Sequence, residues 1–126
     1  PARRRSAVAF LAYIADTEDE ALARAKIAVQ EHVQAFRSVQ THDEWNRDYL
    51  GSESIFNGIA PGGDVRALLA ERTLVCSPAQ AVERLAKYAA QGFTEALFVC
   101  RFGNITGAET LGTIERLTHE VWPRLR

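Results

Sequence analysis

Arg72-Thr-Leu-Val-Cys-Ser-Pro-Ala-Gln-Ala-Val-Glu-Arg-Leu85 is the stretch that decides the fold class. Residues 72–76 form a short apolar run with the length of a buried strand. Ser77, Pro78 and Gln80 then stand where a helix start wants a capping hydroxyl, a first-turn proline and a reciprocating amide. The predicted helix, 78–91, turns Val82, Leu85, Ala86 and Ala89 inward and stops at Gly92, a residue able to take the left-handed conformation. A strand that enters a helix at once is half of a crossover unit, and such units come in series.

Downstream, residues 96–101 make a second, nearly continuous apolar strand, the pattern expected when both faces are covered. Thr106-Gly-Ala-Glu109 is a capping box that opens a helix over 107–122 through Leu111, Ile114, Leu117 and Val121, ended by Trp122-Pro123. Upstream, residues 7–15 carry Val8, Phe10, Tyr13 and Ile14. With Pro1-Ala-Arg-Arg-Arg5 before it, this run also has the outline of a secretory signal. Its β-branched and aromatic content and the helix start that follows favour a strand. Thr17-Glu-Asp-Glu20 opens a helix over 17–39 with Leu22, Ala25, Val29, Val33 and Phe36 inward and Glu18, Arg24, Glu31 and Arg37 in water.

Residues 41–63 break the pattern. Gly51, Gly58, Pro61, Gly62 and Gly63 punctuate a segment that carries Trp45, Tyr49, Ile55 and Phe56, so it is expected to be a structured excursion rather than a polar linker. Asp64 then caps a short helix over 65–71. The order β-α-excursion-β-α-β-α demands parallel strands with helical crossovers, an α/β fold with few strands. No Gly-rich dinucleotide fingerprint or phosphate loop follows any strand.

Composition narrows the rest. The 126 residues are 47% hydrophobic and 25% charged, which is ordinary for a globular domain or part of one. Fifteen Lys and Arg against 16 Asp and Glu leave a net charge of −1, so neither nucleic acid nor an anionic membrane is an expected partner. Cys76 and Cys100 are too few for a disulfide framework and lack zinc spacing, which suits free thiols in a reducing cytoplasm. His32, His42 and His119 show no metal-ligand spacing, and no metal is expected. Pro1 and the absence of Met suggest a segment of something longer.

Three runs together resemble a known family: 72–85, then Gly92-Phe-Thr-Glu-Ala-Leu-Phe-Val-Cys-Arg-Phe-Gly103, then His119-Glu-Val-Trp-Pro-Arg-Leu-Arg126. The chain resembles the carboxy-terminal end of the bacterial luciferase-like flavin-dependent monooxygenases, and the strand and helix from Val8 to Leu22 resemble an internal unit of that family. The resemblance implies about three strand–helix units, the sixth to eighth, of an eight-stranded (β/α)8 TIM barrel, a fold of about 250 residues when complete. Residues 41–63 would fall in its variable segment near the active-site mouth. Cys76 departs from the glycine usual before Ser/Thr-Pro.

The resemblance implies oxygenation of a small-molecule substrate by O2, with reduced FMN supplied by a separate flavin reductase. It also implies a partner that completes the barrel, either the missing amino-terminal half or a second copy in a homodimer. The deazaflavin F420 in the same fold, and a non-catalytic flavin-binding or oligomerisation module, are the alternatives. The family's catalytic histidine would lie outside this chain, so no catalytic residue is assigned. Chemistry in a barrel sits at the carboxy ends of the strands. There Ser77 and Arg101 are the candidate cofactor contacts, and Tyr13, Trp45, Tyr49, Phe56 and Phe102 the candidate substrate contacts. Strand alternation, which groups Leu97, Val99 and Arg101 on one face, points Arg101 at the mouth. Each has a plainer use as well: Ser77 as a helix cap, Arg101 in a local ion pair, the thiols as core lining, the aromatics as a plug.

Overall fold

The computed structural model describes residues 4–38 and 65–125. The elements are β1 (Ala7–Ile14), α1 (Glu18–Ser38), α2 (Val65–Arg72), β2 (Leu74–Cys76), α3 (Pro78–Ala90), β3 (Glu95–Val99) and α4 (Gly107–Arg116). A π turn over Leu117–Val121 and a 3-10 turn over Trp122–Arg124 close the chain. The α/β class is as expected, and residues 7–14 form a strand.

The sheet is parallel, and its order is β2-β1-β3. Three consecutive strands of a closed barrel would pair in chain order, and here β1 lies between β2 and β3. Here the chain moves from β1 outward to β2, then reverses and crosses to the far side of β1. A right-handed crossover in each direction requires the two connecting helices to lie on opposite faces of the sheet. They do. Leu11 and Val75 pack against Ala21, Ala25, Ala28 and Val29 of α1 and Leu69 of α2. On the other face, Phe10, Ala12, Ile14, Leu74 and Cys76 pack against Ala81 and Leu85 of α3 and Leu117 and Val121.

Local chemistry explains most element limits. Ser77 accepts from the Gln80 N–H while the Gln80 side chain accepts from the Ser77 N–H, the full capping box with Pro78 in the first turn. Thr106 and Glu109 repeat it at α4. Arg72, expected in a strand, ends α2 instead. Thr73 stays between helix and strand because its N–H and its hydroxyl both donate to the Leu69 carbonyl. The helix expected over 107–122 is α only to Arg116. The ring of Pro123 would meet the His119 carbonyl in an α turn, and the backbone widens before it.

Phe102-Gly103 fixes how closely α1 sits. Gly103 has φ +50°, and a Cβ there would lie 2.6 Å from the Ala28 Cα. Only glycine lets the loop after β3 rest on the small-residue face of α1.

β3 departs from expectation in its burial. Its apolar run predicted cover on both faces, yet Leu97 is 58% exposed, Phe98 38% and Val99 42%. The helices lie over β1 and β2, and β3 is the less covered of the two edge strands.

Candidate functional site

The carboxy ends of the strands carry two clusters of charged side chains, both assembled from distant parts of the chain. The first is centred on Glu109. Arg24 of α1 grips both its oxygens at 2.7 Å, the Tyr13 hydroxyl donates to it at 3.2 Å, and the Thr106 N–H donates at 3.1 Å. Arg24 also reaches the Asn104 side chain at 3.0 Å and its carbonyl at 2.9 Å. The hydrogen bond from Arg24 holds the Glu109 carboxyl down at about 2. Burial, followed by the neighbouring Glu109 charge, raises the Tyr13 phenol above its ordinary value. At neutral pH the carboxylate is a fully engaged anion and the phenol keeps its proton. The cluster therefore clamps β1, α1 and α4 together and offers no general base.

The second cluster is centred on Glu18, at the ends of β1 and β2. Its carboxylate receives Arg84 at 3.2 Å, Arg66 at 2.9 Å and the Gln80 amide at 2.5 Å. Arg84 also donates to the Thr73 carbonyl, and Arg66 reaches Asp19 at 2.9 Å. Asp16, in the turn after β1, pairs with Arg116 at 2.7 Å.

Ser77 lies beside the second cluster and acts as the cap of α3. The N-terminus at which Ser77 is a candidate cofactor contact already meets Gln80, and through it the negative Glu18. A phosphate would face that carboxylate, so the described residues do not fit the phosphate of FMN at Ser77. Tyr13 is at the strand ends as expected, engaged with Glu109.

Arg101 is placed differently from the alternation that pointed it at the mouth. β3 ends at Val99, and the loop that follows no longer alternates. Phe102 turns into the core under α1, 4% exposed, with His32 edge-on at 6.2 Å. It has no open face for a substrate. Arg101 is exposed and lines a groove of about 590 Å³ with Phe98, Cys100, Ile114 and Trp122 on the α4 side of the sheet, its guanidinium reaching toward Gly107 at the start of α4. Trp45, Tyr49 and Phe56 lie outside the described residues.

Burial pushes the Cys76 thiol up to about 11 and raises Cys100 as well, so both are poor nucleophiles at neutral pH. Among the described residues no three His, Cys, Asp or Glu side chains group as a metal site. No helix among them is long and apolar enough to cross a membrane.

Sequence reasoning missed both pairs, Arg24 with Glu109 and Arg84 with Glu18. Glu18 and Arg24 were expected in water, and Glu109 only as a cap. Arg24 and Glu109 lie 85 residues apart, and no local pattern links them. Set against protein-family models, curated proteins and solved structures, the chain matches none.

Proposed function

We propose that the chain is the carboxy-terminal portion, about three strand–helix units, of a luciferase-like (β/α)8 barrel monooxygenase. The observation that carries this is the ordered set of motifs in the last half of the chain. The Ser77-Pro78 helix start, Phe102-Gly103 after a strand and Glu120-Val-Trp-Pro123 near the end follow one another at family-like intervals. The bare side of β3, with Leu97 and Val99 exposed, supports a sheet that is one part of a larger one.

The parent enzyme would take reduced FMN from a separate reductase and use O2 to oxygenate a small organic substrate. The flavin supplies the oxygen chemistry when bound. This chain's share is structural: the Glu109 and Glu18 clusters hold the strand ends in place, and phosphate contacts fall to residues other than Ser77. In a complete barrel β3 would have to exchange its pairing with β1 for one with β2. A deazaflavin-dependent oxidoreductase of the same fold is supported by the same motifs.

A non-catalytic oligomerisation module is the second reading, favoured by the β2-β1-β3 order and its open edge. The deciding experiment expresses the longest reading frame that contains this chain beside the 126-residue chain itself. Each is titrated with FMN and assayed with a flavin reductase for substrate oxygenation. The monooxygenase reading expects tight flavin binding and oxygenation from the long frame and neither from the short chain. A long frame that holds no flavin refutes it.

A further inference from the structure

We propose that Thr73, Arg84 and Gln80 form a latch that shuts the outer edge of β2, so that this edge strand admits no further strand from a second copy or another chain. The inference rests on backbone hydrogen bonds and not on the flavin reading.

β2 lies at one side of the sheet and, among the described residues, pairs only with β1. Ile14 and Cys76 are register partners, and the Cys76 carbonyl accepts the Ala15 N–H at 3.1 Å. In a parallel ladder a residue turns both its backbone groups to the same neighbour, so Leu74 and Cys76 face β1. Thr73, Val75 and Ser77 turn theirs outward. A row of such groups is the template on which another strand would pair.

Here the chain fills the row itself. The Thr73 N–H donates to the Leu69 carbonyl at 3.0 Å, and the Thr73 carbonyl accepts Arg84 at 3.1 Å. The Val75 N–H donates to the Thr73 hydroxyl at 3.3 Å. The Ser77 N–H donates to the Gln80 side-chain oxygen at 3.1 Å, and its carbonyl accepts the Ala81 N–H at 3.0 Å. Of these outward groups the Val75 carbonyl is left, and a strand needs donors and acceptors in alternation to hold on.

One carboxylate steadies the two side chains that reach in from α3: Glu18 accepts from Arg84 at 3.2 Å and from the Gln80 amide at 2.5 Å. The helices alone do not close this edge. A groove of about 460 Å³ between α2 and α3 has Thr73, Gln80 and Arg84 in its lining. In a complete barrel β3 could pair with β2 only after the same contacts let go.

The test reads single amides of the 126-residue chain by NMR hydrogen exchange and its mass by sedimentation. Thr73→Val keeps the shape and removes the hydroxyl, so the Val75 amide should exchange about tenfold faster or more while Cys76, facing β1, stays slow. Thr73→Ser, which keeps a hydroxyl, should keep Val75 slow. With Arg84→Met added to Thr73→Val, the freed Thr73 carbonyl and Val75 N–H should admit a second copy. The double variant should then associate about tenfold more strongly than the native chain, and its Val75 amide should slow again as concentration rises. A Val75 amide still slow in Thr73→Val, a Cys76 amide loosened equally, or a double variant that associates no more strongly than the native chain each overturns the proposal.

Discussion

The two flanks of β1 differ in what covers them. Toward β2, Ala12, Leu74 and Cys76 are wholly buried, sealed by α1 and α2 on one face and α3 on the other. Toward β3, Leu97, Phe98 and Val99 are exposed although their sequence is as apolar as that of β2. An apolar strand is buried only where helices lie over both its faces, and among the described residues the reversal at β2 leaves too few helices for the far side. Hydrophobicity along the chain reports what a strand can tolerate, and its place in the sheet decides what it receives.

The largest effect should come at the joint between the flanks. Gly103→Ala forces a left-handed φ on alanine and drives its Cβ into the Ala28 backbone, so a loss of about 3–4 kcal/mol is expected in chemical denaturation. Gly92→Ala is the control: its φ is +99° but nothing lies within 4 Å, and the loss should be about 1–2 kcal/mol. Equal losses would show that the close approach to α1 does not limit stability.

The flanks themselves are compared by truncation. Leu74→Ala, on the sealed side, should cost about 3 kcal/mol. Leu97→Ala, measured in dissociated chain, should cost well under about 1 kcal/mol, since the side chain is already wet. Similar costs would mean that β3 is covered in solution.

Acid should act through the Glu109 clamp, which ties β1 to α1 and α4. The folded carboxyl is held at about 2, below its ordinary 4.5. Its stabilising contribution is therefore complete above the ordinary value and is lost as pH falls toward 2. Glu109→Gln should lower stability by about 1–2 kcal/mol at pH 7 and flatten the profile between those limits. An unchanged acid limb in the variant would remove the clamp from the account.

Thiol labelling gives the finest comparison. Cys76 on the sealed flank is fully buried with its pKa pushed up to about 11, while Cys100 beyond β3 is partly exposed and less shielded. A disulfide reagent should modify Cys100 faster than Cys76 by about tenfold or more, read by mass spectrometry. The reverse order would place the open side of the sheet elsewhere.

Legibility followed the range of the interaction. The capping boxes at Ser77 and Thr106 were plain in sequence because both partners lie within one turn. The first turn of α1 was legible the same way, from Thr17 accepting the Glu20 N–H. The direction of Arg101 was not legible because alternation holds only while the ladder lasts, and the ladder stops at Val99. Tyr13 was found at the strand ends, but its tie to Glu109 spans 96 residues.

By itself the sequence determined that this is an α/β chain of parallel strands and capped helices, since periodicity and helix starts are settled by neighbours within a few residues. Only the tertiary structure decided that β1 lies at the centre, that α1 and α3 take opposite faces, and that β3 is left at the edge. Strand order carries no local signature. A parallel strand presents the same backbone groups to either neighbour, and which neighbour wins is decided by the packing of whole helices.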